Sequence, residues 1–243
     1  MTKACAIIQA RMGSTRLPGK VLMDLAGKPM IARVAARARA VAAIDEVVVA
    51  VPEGQDDKPL RETVSRLEGV TLFSGHPTDV LDRYYQAAKS SGAGVVLRIT
   101  ADCPFVDPVV AGKVLAALLS SGADFATNNE PPTYPHGLDV EVFRFAALEA
   151  SWREARLAPE REHVGPFVRA RPDRFKAAHV RHAEDLHVMR WTVDEPADMD
   201  FARAVAQRLG SRVETAGFEE IVAILRQEPS LLGINAGVRS LRA

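Results

Sequence analysis

The sequence is poor in the features that mark several protein classes. It holds only two cysteines, Cys5 and Cys103. One pair cannot staple a fold, and both fall in segments that read as buried strand or strand end, which fits a reducing compartment. No apolar run approaches the ~18 residues that cross a bilayer, so no membrane span is expected. Met1-Thr2-Lys3 and the short apolar run to Ile8 lack the length and the small-residue cleavage site of a secretory signal. The expectation is a cytoplasmic protein. Neither sign of charge is in excess, since 31 Lys plus Arg meet 31 Asp plus Glu. No global positive field is then available to hold a nucleic acid, and any anion has to be held by local clusters. His179, His182 and His187 match no zinc spacing and have no cysteine nearby. Repeats, low-complexity tracts and a clear linker are also missing. A single domain over 1–243, with an inserted subregion at about 128–182, is the simplest organisation.

What is present is a strand–helix alternation. Ala4-Cys5-Ala6-Ile7-Ile8, Glu46 to Val51, Val70 to Phe73 and Val95 to Ile99 are short apolar runs, the pattern of strands covered on both faces. Between them, Met30 to Ala43, a stretch marked by Leu60, Val64 and Leu67, and a run through Leu81, Tyr84, Tyr85 and Ala88 carry helical spacing. Thr78 or Asp79 caps the last of these, and Asp107-Pro108 opens another helix that ends before Gly122. Further on, strands are expected over Leu138 to Phe143, Phe175 to Arg181 and His187 to Val193. Helices are expected over Ala146 to Leu157, Arg161 to Ala170, Phe201 to Leu209 and Phe218 to Arg226. The last ten or so residues read as loosely held. The sum is a mostly parallel mixed sheet with helices on both faces, a three-layer α/β/α Rossmann-like fold. Ligands in such folds sit at the carboxyl ends of strands, so the segments after Ile8, Ile99 and Val193 are where chemistry belongs.

After the first strand, Gln9-Ala10-Arg11-Met12-Gly13-Ser14-Thr15-Arg16-Leu17-Pro18-Gly19-Lys20 gathers three cations, two glycines and two hydroxyls. Glycine lets the backbone approach a ligand, exposed N–H groups cradle phosphate oxygens, and Arg and Lys neutralise them. It is not a Walker A loop: five residues separate Gly13 from Gly19 and Val21 follows Lys20, where that motif needs four and a Ser or Thr. By spacing alone it is equally a basic surface turn.

The stretch Ile7 to Lys20 resembles the opening signature of the cytidylyltransferases that activate acidic sugars, the acylneuraminate and 3-deoxy-manno-octulosonate (KDO) enzymes, and most of all the spore-coat polysaccharide biosynthesis protein F subfamily. The resemblance runs from about Ala4 to about Leu209. It includes Asp79-Val80-Leu81-Asp82-Arg83-Tyr84, Arg98 to Pro104, Tyr134 to Glu141, Arg161-Glu162-His163-Val164 and Arg190 to Asp194, in order. It implies the nucleotide-diphospho-sugar transferase fold, CTP as donor, a sugar or sugar acid as acceptor, a CMP-sugar and pyrophosphate as products, Mg²⁺ as cofactor, and a homodimer. Gln9, Ala10, Arg11, Gly13, Ser14 and Lys20 would face the nucleotide, with Arg11, Arg16, Lys20 and Asp102 as the catalytic groups.

Asp102 and Asp194 each follow a strand that a proline then stops. Two acids on one sheet edge suit a magnesium ion that also takes phosphate oxygens and water; the bland alternative is a turn former or helix cap. The resemblance makes both metal ligands. Arg98, inside an apolar strand, either pairs within the fold, with Asp79 or Asp82, or aims at a ligand. The resemblance sets Gly75 and Asp79 beside the base or ribose, and turns Tyr134, His136, Asp139 and Glu141 toward the sugar. Arg161 or His163 would meet an anionic sugar group, and Arg190 a phosphate or the sugar. Rival readings are a GTP- or UTP-using sugar nucleotidyltransferase, a glycosyltransferase, for which Asp102-Cys103-Pro104 lacks the second acid of an Asp-x-Asp motif, and a non-catalytic nucleotide-binding protein.

Overall fold

A computed structural model of the chain describes residues 2–239. The strands are β1 (Ala4–Gln9), β2 (Asp24–Leu25), β3 (Lys28–Pro29), β4 (Glu46–Pro52), β5 (Thr71–Gly75), β6 (Val95–Thr100), β7 (Phe125–Thr127), β8 (Glu141–Arg144) and β9 (Ala177–His179). The helices are α1 (Met30–Arg39), α2 (Lys58–Val64), α3 (Val80–Ser91), α4 (Pro108–Ser121), α5 (Phe145–Glu154), α6 (Ala158–His163), α7 (Pro166–Arg169), α8 (Pro196–Leu209) and α9 (Phe218–Gln227). Strands β2 and β3 form a separate hairpin, and the rest make one seven-stranded sheet in the order β5-β4-β1-β6-β8-β7-β9. Only β8 runs against its neighbours in that sheet; every other pairing in it is parallel.

The continuous apolar runs are explained by the two cores. Ala4, Ala6 and Ile8 of β1 point into one and Cys5 and Ile7 into the other, and β4 divides the same way. Period-two alternation over a sheet covered on both sides disfavours polar residues in the middle of β1 and β4. The first core is closed by α1, α2, α4, α8 and α9, the second by α3, α5 and α7. Helix ends follow their caps. The Asp79 carboxylate accepts from the N–H of Asp82 at 2.9 Å, and that of Asp107 from Val110 at 2.8 Å. Gly92 and Gly122 end α3 and α4 in the left-handed conformation, φ 66° and 65°. The buried Arg37 of α1 donates through Nε, Nη1 and Nη2 to the carbonyls of Val106, Val213 and Ala216, which locks α1 against the far end of the chain.

Four expectations change. The segment His187 to Val193 is not a strand of the sheet; it makes one isolated bridge, His136 with Arg190. It crosses the carboxyl edge instead, the Trp191 N–H donating to His136 O at 2.7 Å and that of Val193 to Asp102 O at 2.8 Å. The single helix expected over Arg161 to Ala170 is two, α6 and α7: the chain breaks at Val164, φ 67°, and Pro166, whose missing N–H costs nothing at a first turn, opens the second. Strand β7 is an addition; three residues between two connections carry no periodic signal. The closing segment is held at Asn235, which is buried and donates to Arg190 O and Asp198 at 3.0 Å; residues 240–243 lie outside the described part.

Candidate active site

The carboxyl edge of the sheet opens into a cleft of about 630 Å³. One wall is the loop after β1. Its shape comes from its own backbone: the Gly19 N–H donates to Met12 O, with φ 69° at Gly19, and the Met12 N–H donates to Asp57 Oδ1 at 2.7 Å. Leu17 and Val21 are buried beneath, while Arg11 and Arg16 stay exposed. A Cβ on Gly13 would meet nothing within 4 Å, so its backbone is open to the cleft. Gln9, Ala10, Arg11, Gly13, Ser14, Arg16 and Lys20 all line it.

Opposite this loop, the chain brings Asp102 and Asp194 onto one cation. Lys20 Nζ donates to Asp102 Oδ2 at 3.0 Å, to Asp194 Oδ1 at 2.8 Å and to Val193 O at 2.7 Å. Burial alone would pull the Lys20 ammonium down, but the two carboxylates outweigh it and its pKa is raised. Asp194 is pushed up by burial and pulled further down by Lys20, Arg190 and Arg16, so it stays ionised. Arg16 reaches Asp194 at 3.3 Å and Glu195 at 3.2 Å. Behind Asp194, Arg190 Nη2 donates to Asp194 Oδ2 at 2.8 Å and is itself gripped by the fully buried Asp198 through Nε and Nη2, both at 2.9 Å.

The floor is Arg98. On β6 it stands directly across from Glu141 of β8; its Nη1 donates to Glu141 Oε2 at 2.9 Å and its Nη2 to Gln9 Oε1 at 3.3 Å. Burial would lower its pKa, but Glu141 outweighs this and the guanidinium is held charged. The internal partner of Arg98 is therefore Glu141, not Asp79 or Asp82.

The far wall carries His136, Asp139 and His163, with Asn129, Glu162 and Thr192 beside them. Asn128 sets the first two: its side chain donates to Leu138 O and accepts from the Val140 N–H, both at 2.8 Å. Gly137 sits at φ 110° with a Cβ position 2.6 Å from the Thr192 nitrogen, so the loop crosses the next segment where only glycine fits. The backbone beyond His163 is strained: buried Val164 has φ 67° and ψ −56°, and the Gly165 N–H donates to His163 O at 2.8 Å. That is a γ-turn of the rare form, centred on a β-branched residue next to a cleft residue.

Several expected residues stand elsewhere. Tyr134 is buried against Phe218 and His182, on the core side of its loop. Glu141 is buried under Arg98. Arg161 grips Asp79, donating from Nε at 2.8 Å, and bonds Trp152 O; neither Arg161 nor Asp79 lines the cleft. Gly75 does not line it either; a Cβ there would stand 2.9 Å from Arg83 Cγ. Arg190 lies behind Asp194. Cleft residues not anticipated from the sequence include Arg83, Thr100, Cys103 and Asn129. Of these, Arg83 carried a signal, being a cation set among the apolar positions of α3.

A mostly parallel sheet with a cationic, glycine-bearing loop on its carboxyl edge, facing two strand-end carboxylates, is the architecture of an α/β enzyme that handles nucleotides at phosphate. The comparisons specify the class. A family model described as cytidylyltransferase matches residues 5–223, and the chain belongs to that family. It is 29% identical over 235 residues to the spore coat polysaccharide biosynthesis protein SpsF of Bacillus subtilis, covering 92% of this chain and 94% of that one. It is 32% identical over 240 residues to a 3-deoxy-manno-octulosonate cytidylyltransferase of Rhizobium leguminosarum, covering 82% and 93%. Among solved structures, a cytidylyltransferase from Leptospira borgpetersenii superposes with a TM-score of 0.90 at 27% identity over 100% of both chains. No helix among the described residues is long and apolar enough to cross a membrane.

Proposed function

We propose that the chain transfers CMP from CTP to a hydroxyl of a sugar or sugar acid and releases pyrophosphate, with Mg²⁺ as cofactor, and that it works as a cytoplasmic homodimer serving surface-glycan synthesis. The observation that carries this reading is the convergence of Asp102, Asp194 and Lys20 on one point beside the basic loop. Magnesium suits the donor set. Two hard carboxylate oxygens meet where a cation, the Lys20 ammonium, already sits, and this ion takes the rest of its shell from phosphate and water. Among the described residues no cluster of three His, Cys, Asp or Glu is arranged to hold a metal, so a site that takes few protein ligands is the one that fits. When bound, Mg²⁺ supplies charge neutralisation at the phosphates and lowers the pKa of a coordinated hydroxyl.

In this reading the open backbone at Gly13 and Ser14, with Arg11 and Arg16, binds the triphosphate. The acceptor oxygen, placed from the His136, Asp139 and His163 wall, attacks the α-phosphorus in line. The new O–Pα bond forms as the bond from Pα to the bridging oxygen breaks; the electron pair leaves on pyrophosphate and the hydroxyl proton passes to solvent. Lys20 and Arg16 stabilise the charge that grows on the leaving group. The work is positioning and electrostatics, with no side chain required as a covalent nucleophile. The test is pyrophosphate release from each of the four ribonucleoside triphosphates against a panel of sugars and sugar acids. CTP-dependent release, cut at least about 100-fold in Asp102→Asn, is expected. Near-normal turnover in that variant removes the metal assignment, and hydrolysis of a finished nucleotide sugar without pyrophosphate would point to a glycosyltransferase.

A further inference from the structure

Lys20 is the one buried lysine among the described residues. An ammonium carries three protons, and here each has an acceptor: Asp102 Oδ2 at 3.0 Å, Asp194 Oδ1 at 2.8 Å and Val193 O at 2.7 Å. Its donor capacity is spent. Two parts of the transfer chemistry then collide. Asp102 and Asp194 have to offer their oxygens to Mg²⁺, and Lys20 has to offer protons to the leaving pyrophosphate. Where it stands, the ammonium fills the gap between the two carboxylates and keeps no proton for a phosphate. Both demands are met only by an exchange of partners.

The surroundings decide when that exchange takes place. Asp194 is faced by two further cations, Arg190 at 2.8 Å and Arg16 at 3.3 Å, so its charge is already balanced. Arg190 is fixed from behind by Asp198. Lys20 and Arg16 differ from it: both belong to the loop after β1 and line the cleft, and each reaches the acids through a flexible stem. A divalent cation arriving alone has to break the buried Lys20 pairs and leaves the ammonium without a counter-ion, which is costly. A triphosphate arriving with it takes Lys20 and the exposed Arg16 onto its own oxygens, and charge-assisted bonds replace those lost. We infer that Lys20 competes with the divalent cation for Asp102 and Asp194, and that a triphosphate relieves the competition by drawing the ammonium onto a phosphate. Metal and nucleotide thereby bind as a coupled pair, each raising the affinity for the other. This rests on the nucleotide and metal reading above.

Two measurements test it. The first uses Mn²⁺ alone, its free fraction read by electron paramagnetic resonance, with no nucleotide present. Lys20→Met keeps the length of the stem and removes the charge. It is expected to bind Mn²⁺ about 5- to 150-fold more tightly than the unaltered chain, the usual span of coupling between two ligands, although the same change takes a cation out of the reaction. Equal or weaker binding overturns the inference. Adding Asp102→Asn to that variant is expected to abolish the gain; a gain that survives comes from elsewhere and also overturns it. The second measurement uses the unaltered protein, so it does not depend on a variant folding. With ¹⁵N-labelled lysine, the buried and fully bonded Lys20 ammonium gives the slowly exchanging signal. That signal is expected to hold in Mg²⁺ alone, at the concentration that saturates the site in the presence of CTP, and to move once CTP is added. A signal that moves with Mg²⁺ alone, or stays in place with Mg²⁺ and CTP both bound, overturns the inference. No binding of CTP, with the Mn²⁺ gain of Lys20→Met intact, would leave the competition at the aspartates in place and remove the nucleotide reading instead.

Discussion

Asp198 sits beneath the carboxylate pair, and replacing it by Asn tests whether the site is held from behind. The side chain is fully buried. It accepts two hydrogen bonds from Arg190 at 2.9 Å, the backbone N–H groups of Asp194 and Glu195 at 3.0 Å, and Asn235 Nδ2 at 3.0 Å. Asp198→Asn leaves a guanidinium that is 7% exposed without its bidentate counter-ion. Breaking one side of a buried pair costs about 3–5 kcal/mol; Arg190 keeps Asp194, which favours the lower end, about 3 kcal/mol. At roughly 2–4 °C per kcal/mol for a chain of this size, Tm should fall by about 6–12 °C. The effect has a pH signature. Burial by itself would raise the Asp198 pKa, but Arg190, the backbone N–H of Asp194 and Asn235 outweigh it and hold it below the usual carboxylate range. A depressed folded pKa contributes stability that is complete above the unfolded value, near ~4, and is lost as pH falls through the folded value. The gap between the unaltered chain and the variant, measured by urea unfolding followed by circular dichroism, should therefore be full at pH 7 and close below about pH 4. A gap under about 1 kcal/mol at neutral pH, or one that widens on acidification, would refute the reasoning.

On the proposed mechanism, Lys20→Met removes a cation from the leaving group and should cut nucleotide turnover by about 100- to 1,000-fold, read as kcat/KM; a loss under fivefold would take Lys20 out of the chemistry. Gly137→Ala forces a Cβ to within 2.6 Å of the Thr192 nitrogen at φ 110°, so a loss of about 1–3 kcal/mol is expected in urea unfolding. Burial pushes the Cys5 thiol up to about 11 and Cys103 well above its ordinary value. At pH 8 a thiol-specific disulfide reagent should label neither cysteine in the folded chain and both after denaturation.

The layered α/β/α architecture was legible because β1 and β4 are almost wholly apolar runs and β6 is one broken only at Arg98, the pattern of strands covered on both faces. The basic loop and the two aspartates stood out by residue type and by the prolines after them, but spacing left each with a bland alternative and only the resemblance made them candidate site residues. Other parts depend on partners far along the chain. Nothing local tells that Arg98 meets Glu141 across β8, or that Asp198 supports Asp194 through Arg190. Tyr134 was read toward the sugar from the resemblance, but its ring packs on Phe218 and His182 on the core side of its loop. The His187 to Val193 stretch has strand-like composition, yet the β6–β8 pairing fills the sheet position beside Asp102 and the segment is left to cross the edge.

The cleft walls come from the crossover after β1, the start of α3, the ends of β6, the Asn129 to Asp139 loop, α6 and the segment before α8. The lining runs from Gln9 to Asp194, and the two aspartates stand far along the chain from the basic loop they face. The complete site exists only in the folded chain, so a ligand that binds it stabilises the native state. At 100 times its dissociation constant a ligand would add about 2.7 kcal/mol to the whole molecule, tightening distant helices along with the loop it touches.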